Sequence, residues 1–282
     1  MLALRDITLG SYYRADSAIH RLDARVKILL MIVLMAAVFT ARGTVSFAAV
    51  FLFCCAVMLM TKVPLKLYLK SLRPLLIIVI FTSLLNVFYT PGAITLFDWW
   101  IFHPTFEGVL FSLKMIVRIV SLIIVSSALM YTTTPVALTD ALESLMKPLK
   151  LVRFPVHETA LMMTLALRFI PTLLEEADKI MCAQKARGAD FESGGLFRRA
   201  KALIPVLVPL LVSAFRRAPE LATAMECRCY RGGEGRTKLR VMKAGGRDAI
   251  AALIVLALLG AVIFARVKGF DVPPWSEILN LI

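Results

Sequence analysis

Five apolar runs are spaced along the chain, at about 26–40, 45–61, 74–90, 109–131 and 249–265, each bordered by polar or basic residues. A membrane-crossing helix needs about 20 residues, so the first three runs require flanking residues or snorkelling lysines to reach across. Only Ala41-Arg42-Gly43-Thr44 separates the first two, which predicts a tight helical hairpin. In the fourth run Lys114 and Arg118 share one helix face at i, i+4, so that end should face protein or the interface rather than lipid. Between the fourth and fifth runs the pattern becomes amphipathic and predicts three helices. The first, "TTTPVALTDALESLMKPLK", opens on Thr134 as a cap with Pro135 at the first helical position. The second runs from Pro155 to Gly188, about 48 Å if helical throughout, with a kink at Pro171. The third, over about 199–231, carries Pro205, Pro209 and Pro219 as bends. Its apolar core, 202–215, is bracketed by Arg198-Arg199-Lys201 and Arg216-Arg217. That core is short for a span, so the helix is read as lying against the inner membrane face or on another helix; a sixth span is the alternative.

Composition divides the chain into two environments. It is 59% hydrophobic with mean hydropathy +0.79, yet carries a net charge of +14 over 282 residues. Charges at the bilayer centre are costly, so an apolar membrane part and a basic aqueous part are expected. Residues 62–73 carry four basic residues and no acid, whereas 91–108 carry no Lys or Arg, placing the first loop in the cytosol and the second outside. The N-terminus is then cytosolic, with Arg42 in an external turn as the exception. The N-terminal sequence shows no cleavable signal peptide. The domain reading is a membrane part at 1–131, cytosolic or interfacial helices at 132–247, and a last span with an external tail at 248–282. Region 132–247 holds 19 of the 33 basic residues. The fold class is therefore all-α, a polytopic membrane protein of about five spans plus a cytosolic region of about three long helices.

The two longer predicted helices end alike. "AQKARG" closes on Ala186-Arg187-Gly188, and "AMECRC" closes on Cys227-Arg228-Cys229, 41 positions later (228 − 187). An arginine in a last helical turn is favoured by the helix dipole by about a few tenths of a kcal/mol, which alone would explain it. The small neighbours suggest more: each arginine is the one large group on a tip narrow enough to enter a groove, and its fork can pair with a buried carboxylate. The same tripeptide at Ala41-Arg42-Gly43 lies in a short turn, so context rather than the tripeptide carries the signal. Gly188 is expected to end its helix directly, whereas Cys229 is expected to let the second helix run on toward Gly232, giving two different docking geometries.

Other chemistry is sparse. No Gly-Lys-Ser/Thr loop exists to bind ATP, and Gly232 to Lys238 reads as a flexible basic exit. Glu175-Glu176-Asp178 reads as a solvated face, because adjacent helical positions diverge and no His or Ser completes a set. His157 reads as a surface or capping residue, and Asn86 as able to hydrogen-bond a neighbouring helix. The five cysteines form no disulfide framework, and scattered histidines argue against metal at Cys227-x-Cys229. No cofactor is expected on this chain. Nucleic acid is not expected either, since no aromatic-basic interleaving accompanies the charge. A membrane enzyme acting on lipids is the rival class, but no acid, His or metal cluster supports it.

These residues resemble the T component, the energy-coupling transmembrane protein, of energy-coupling factor (ECF) type ABC transporters. The likeness runs through "LDARVK" (22–27), "LRPLL", "NVFYTPG", "VHETALMMTLALRFIPTLLEEADKI" (156–180), "AQKARGADFESGG" (183–195) and "LVPLLVSAFRRAPELATAMECRCYRGGEGRTKL" (207–239). The resemblance implies a non-enzymatic scaffold whose two Ala-Arg-Gly motifs dock on two ABC-type ATPase subunits, which hold the ATP. It implies a separate substrate-binding S component in the bilayer that delivers a vitamin or metal, and a multi-pass location in the inner membrane of a prokaryote. The first motif matches at Ala186, Arg187 and Gly188. The second keeps Arg228 but has Cys227 and Cys229 where the family usually has Ala and Gly, and "LDARVK" has Ala24 in place of Pro. The unequal tips lean toward two different ATPases.

Overall fold

A computed structural model describes residues 11–41, 43–89, 105–191, 195–233, 235 and 245–268. The described chain is built from α-helices, in two compact units: 135–241 within one, and 11–134 with 242–282 in the other. The external loop expected at 91–108 and the tail after 268 lie largely outside the described residues.

The larger unit is a bundle of α1 (Ala24–Thr40), α2 (Thr44–Met60), α3 (Leu65–Tyr89), α4 (Phe106–Thr132) and α8 (Gly246–Lys268). Its core joins Leu34, Val38 and Ala41 of the first hairpin to Val50, Cys54, Ile124, Val125 and Val255. Without a hydrophobic drive in lipid, helices associate through close packing, and Ala37 and Cys54, both fully buried, leave the room for it. Gly108 does the same between α3 and α4, where an added Cβ would lie 3.0 Å from the carbonyl oxygens of Asn86 and Val87. Outward, α3 bares Leu69, Ile77, Ile80, Phe81 and Leu84, as a lipid-facing helix would.

The helices are longer than their apolar runs. The run at 74–90 belongs to a helix that starts at Leu65, so Lys66, Lys70 and Arg73 sit on its first turns rather than in a loop. Good helix formers precede Pro74, and the helix runs on through it although its missing N–H forgoes one backbone hydrogen bond. Arg118 turns inward as expected, donating to the carbonyl of Ala41 at 3.1 Å with its guanidinium over the Phe47 ring. Among the described residues Asn86 reaches no neighbouring helix: its Nδ2 donates back to the Thr82 carbonyl at 2.9 Å, one turn earlier on α3.

Among the described residues four helices are long and apolar enough to cross a membrane: α3, α4, α8 and α7, the last introduced below. α1 and α2, at 17 residues each, are about 26 Å long and short of the roughly 30 Å hydrocarbon layer. The protein is thus a multi-pass, all-α membrane protein, although this set differs from the five spans expected, through the inclusion of α7 and the shortness of the first hairpin.

The smaller unit holds α5 (Pro135–Leu145), a 3-10 helix (Lys147–Val152), α6 (Val156–Ala186) and α7 (Leu196–Cys227). Among its described residues two helices are long, not three. The first stops at Leu145 because Pro148 forces the tighter turn that follows, and Arg153 in a left-handed conformation (φ 58°) ends it. Pro135 begins α5 at its first position. Ala141 packs the α5 core, with Val156 and Ala160 buried at the start of α6.

Candidate docking tips

The two arginine-bearing ends have the same backbone design. At the first, Arg187 is the residue after the helix proper, at φ −85°, ψ 5°. Gly188 then turns left-handed at φ 89°, its N–H meets the Lys185 carbonyl at 2.9 Å, and the Ala189 N–H meets Gln184 at 3.0 Å. This is the paired-bond ending that satisfies the orphan carbonyls of a helix. At the second, Arg228 takes the same place at φ −93°, ψ 18°. Cys229 turns left-handed at φ 58°, with its N–H on Glu226 at 2.8 Å and the Tyr230 N–H on Met225 at 3.0 Å. The expectation that the second helix continues toward Gly232 is therefore corrected. The pattern of satisfied carbonyls outweighs the cost of a side chain in the left-handed region, about 1–2 kcal/mol. That cost is measurable: Cys229→Gly should stabilise the tip by about 1 kcal/mol, read as slower amide exchange at Cys229 and Tyr230.

Ala186, Arg187 and Gly188 are exposed, as are Cys227, Arg228 and Cys229. Neither guanidinium has a hydrogen-bond or ion-pair partner among the described residues, and an added Cβ at Gly188 would meet open space. Each tip thus presents a free planar cation on a narrow, small-residue surface.

The unit spaces these tips by two contacts. Arg217 Nη2 donates to Glu176 Oε2 at 2.6 Å, joining α7 to α6. Both partners lie eleven positions before their own tip (187 − 176 and 228 − 217), so each tip projects about 16 Å beyond the pin. Glu176 was read as part of a solvated face; it is instead the partner that fixes helix register. The clue in the sequence was the shared offset of 41, common to the arginines and to this pair. The second contact is at His157, whose ring stacks on Tyr230 with centroids 6.5 Å apart and whose Nδ1 lies 3.6 Å from Glu143. His157 is therefore not a surface cap but a partly buried junction of α5, α6 and the segment after α7. Tyr230 directly follows the second tip, so that tip sits beside the first turn of α6 and the other at its last. The two ends of α6 beside which the arginines stand are about 45 Å apart along that helix.

Among the described residues no hydrogen bond or ion pair ties either arginine to a His, Ser, Asp or Glu that could work with it as an acid–base or nucleophilic set. Among the described residues no three His, Cys, Asp or Glu side chains converge as a metal site would require. The tips can bind, by charge and shape, what has a matching groove.

Sequence comparison gives a consistent result. Residues 15–239 match the family model for CbiQ, described as a cobalt transport protein. The energy-coupling factor transporter transmembrane protein EcfT of Acidaminococcus fermentans is 48% identical over 93% of this chain and 98% of its own length. The protein of the same name from Ruminiclostridium cellulolyticum is 47% identical over 95% of this chain and 100% of its own. That of Bacillus subtilis is 46% identical over 89% and 96%.

Proposed function

The chain belongs to the family of energy-coupling factor transporter transmembrane proteins, and on that premise we propose that it is the non-catalytic scaffold coupling ATPase closure to substrate delivery. Arg187 and Arg228 each enter a groove on one of two cytosolic ABC-type ATPase subunits, flanked by Ala186 and Gly188 at one tip and Cys227 and Cys229 at the other. ATP is held by those subunits, and this chain binds no cofactor. α6 and α7 are the levers, and a separate substrate-binding subunit in the bilayer receives the motion and releases a vitamin or metal ion. The unit carrying the tips lies in the cytosol with the N-terminus, and the spans lie in the inner membrane of a prokaryote. α7 presents Ile204, Leu207, Val208, Leu211 and Phe215 outward, a face suited to lipid at the inner interface or to the substrate-binding subunit.

The observation that carries this reading is the duplicated tip: two identical helix endings, each with an unpartnered arginine, on arms of equal length. Matched backbones favour two equivalent grooves. The difference between the tips lies in side chains alone, so identical and different ATPases are both accommodated.

The cysteines supply the test. Cys227 and Cys229 flank Arg228 and are exposed, and Cys182 is exposed one turn before the first tip. Maleimide labelling of Cys227 and Cys229 should slow by at least about tenfold, a factor worth 1.4 kcal/mol, when the ATPase pair is bound. Labelling at the same rate with and without the ATPases would reject the docking assignment.

A further inference from the structure

The bundle contains a cavity that the coupling role does not use. It lies at the end where α1 and α8 begin and α2 and α4 finish, encloses about 440 Å³, and is walled by Leu30, Met31, Phe53, Val57, Leu129 and Ile254. That volume falls within the roughly 300–1,000 Å³ of small-molecule sites. Its single buried cation is occupied: Lys27 Nζ donates to the Thr132 carbonyl at 2.9 Å and to that of His20 at 3.3 Å. Apart from Thr132 and Arg247, the rest of the wall is apolar.

A second hollow of about 390 Å³ adjoins it, sharing Ala18 and Arg247, and is lined by Asp16, Ser17, Arg21 and Lys62. One acid therefore faces three cations. Asp16 is already taken, since Arg21 donates to both its oxygens at 2.8 and 2.6 Å, and that guanidinium holds its carboxyl below the usual carboxylate range. Lys62 and Arg247, both exposed, have no hydrogen-bonded side-chain partner among the described residues. The pair of hollows is thus apolar within and carries two uncompensated positive charges at its mouth.

We propose that this composite cavity binds one anionic glycerophospholipid, an acyl chain in the apolar hollow and the phosphate between Lys62 and Arg247. Basic pockets between membrane helices bind anionic headgroups on general electrostatic grounds. A zwitterionic lipid would offer the same chain, but its own ammonium would cancel the attraction at the mouth. The segment 11–22 frames the site: Ala18, Ile19 and Leu22 line the cavity, and the Tyr13 N–H is held on the Tyr131 carbonyl at 3.0 Å.

The test is native mass spectrometry of the full chain, delipidated in detergent and given equimolar phosphatidylglycerol and phosphatidylcholine with the same acyl chains. One phosphatidylglycerol should be retained, at about tenfold preference. Lys62→Gln with Arg247→Gln should bring the preference to about unity with helical content intact by circular dichroism. Lys66→Gln with Lys70→Gln, which removes as much charge outside the cavity, should leave it unchanged. Ala251→Phe should lower retention of both lipids by filling the hollow. Glycerophosphate in excess should not displace the bound lipid, because it lacks the chain. Equal retention of both lipids by the unaltered chain, preference surviving in the Lys62/Arg247 variant, equal loss in the Lys66/Lys70 variant, or displacement by glycerophosphate would each overturn the proposal.

Discussion

With Arg187→Glu and Arg228→Glu combined, the ATPase pair is expected to stop co-purifying with this chain. Each reversal removes a charge-assisted contact and puts a carboxylate where a cation docked. Truncating one partner of a buried charged pair costs about 2–5 kcal/mol, so each single variant should weaken association by at least about tenfold. The tips stand far enough apart to act independently, so the losses should add in free energy and multiply in affinity. Arg→Lys at either tip keeps the charge but loses the two-pronged fork, and should retain part of the binding. The fold should be unaffected, since neither guanidinium has a partner among the described residues; circular dichroism and thermal unfolding should match the unaltered chain. Undiminished co-purification and uptake in the double variant would remove the tips from the coupling mechanism.

Most of the architecture could be read from pattern. Apolar runs located the bundle helices, and Pro135, Pro155 and Gly188 marked helix boundaries because each acts through its own backbone chemistry. Features that depend on distant residues were harder to see. Glu176 looks solvated from its neighbours, because its partner Arg217 lies 41 positions away on another helix. His157 looks like a surface residue until the segment after α7 returns to cover it. Cys229 misled for a different reason: residue preference argues against a left-handed cysteine, but a helix that must end there leaves carbonyls that only this turn satisfies. The lipid-sized cavity has no local signature at all, since its walls come from four helices and the N-terminal segment.

Substitution at Gly233 should disturb the second tip without touching it. A Cβ there would lie 2.6 Å from the Cγ and Cδ2 of His157 and 2.9 Å from its Cβ, closer than such atoms approach. The obstacle is a ring rather than the end of a flexible chain, and it is wedged between Tyr230 and Glu143. Gly233→Ala must therefore move either the imidazole or the segment that follows the tip. Overpacking of this kind costs about 1–3 kcal/mol. Here the stacked Tyr230 N–H is also the outer hydrogen bond of the helix ending that positions Arg228. Co-purification of the ATPase pair should fall by about tenfold, equivalent to 1.4 kcal/mol, while Gly260→Ala, which meets nothing within 4 Å in α8, should be neutral or slightly stabilising. Combining Gly233→Ala with His157→Ala removes the clashing ring, so the double variant should lose less than the sum of the two single losses. Full additivity would mean that Gly233 and His157 do not act through one contact, and that Arg228 is positioned by the helix alone.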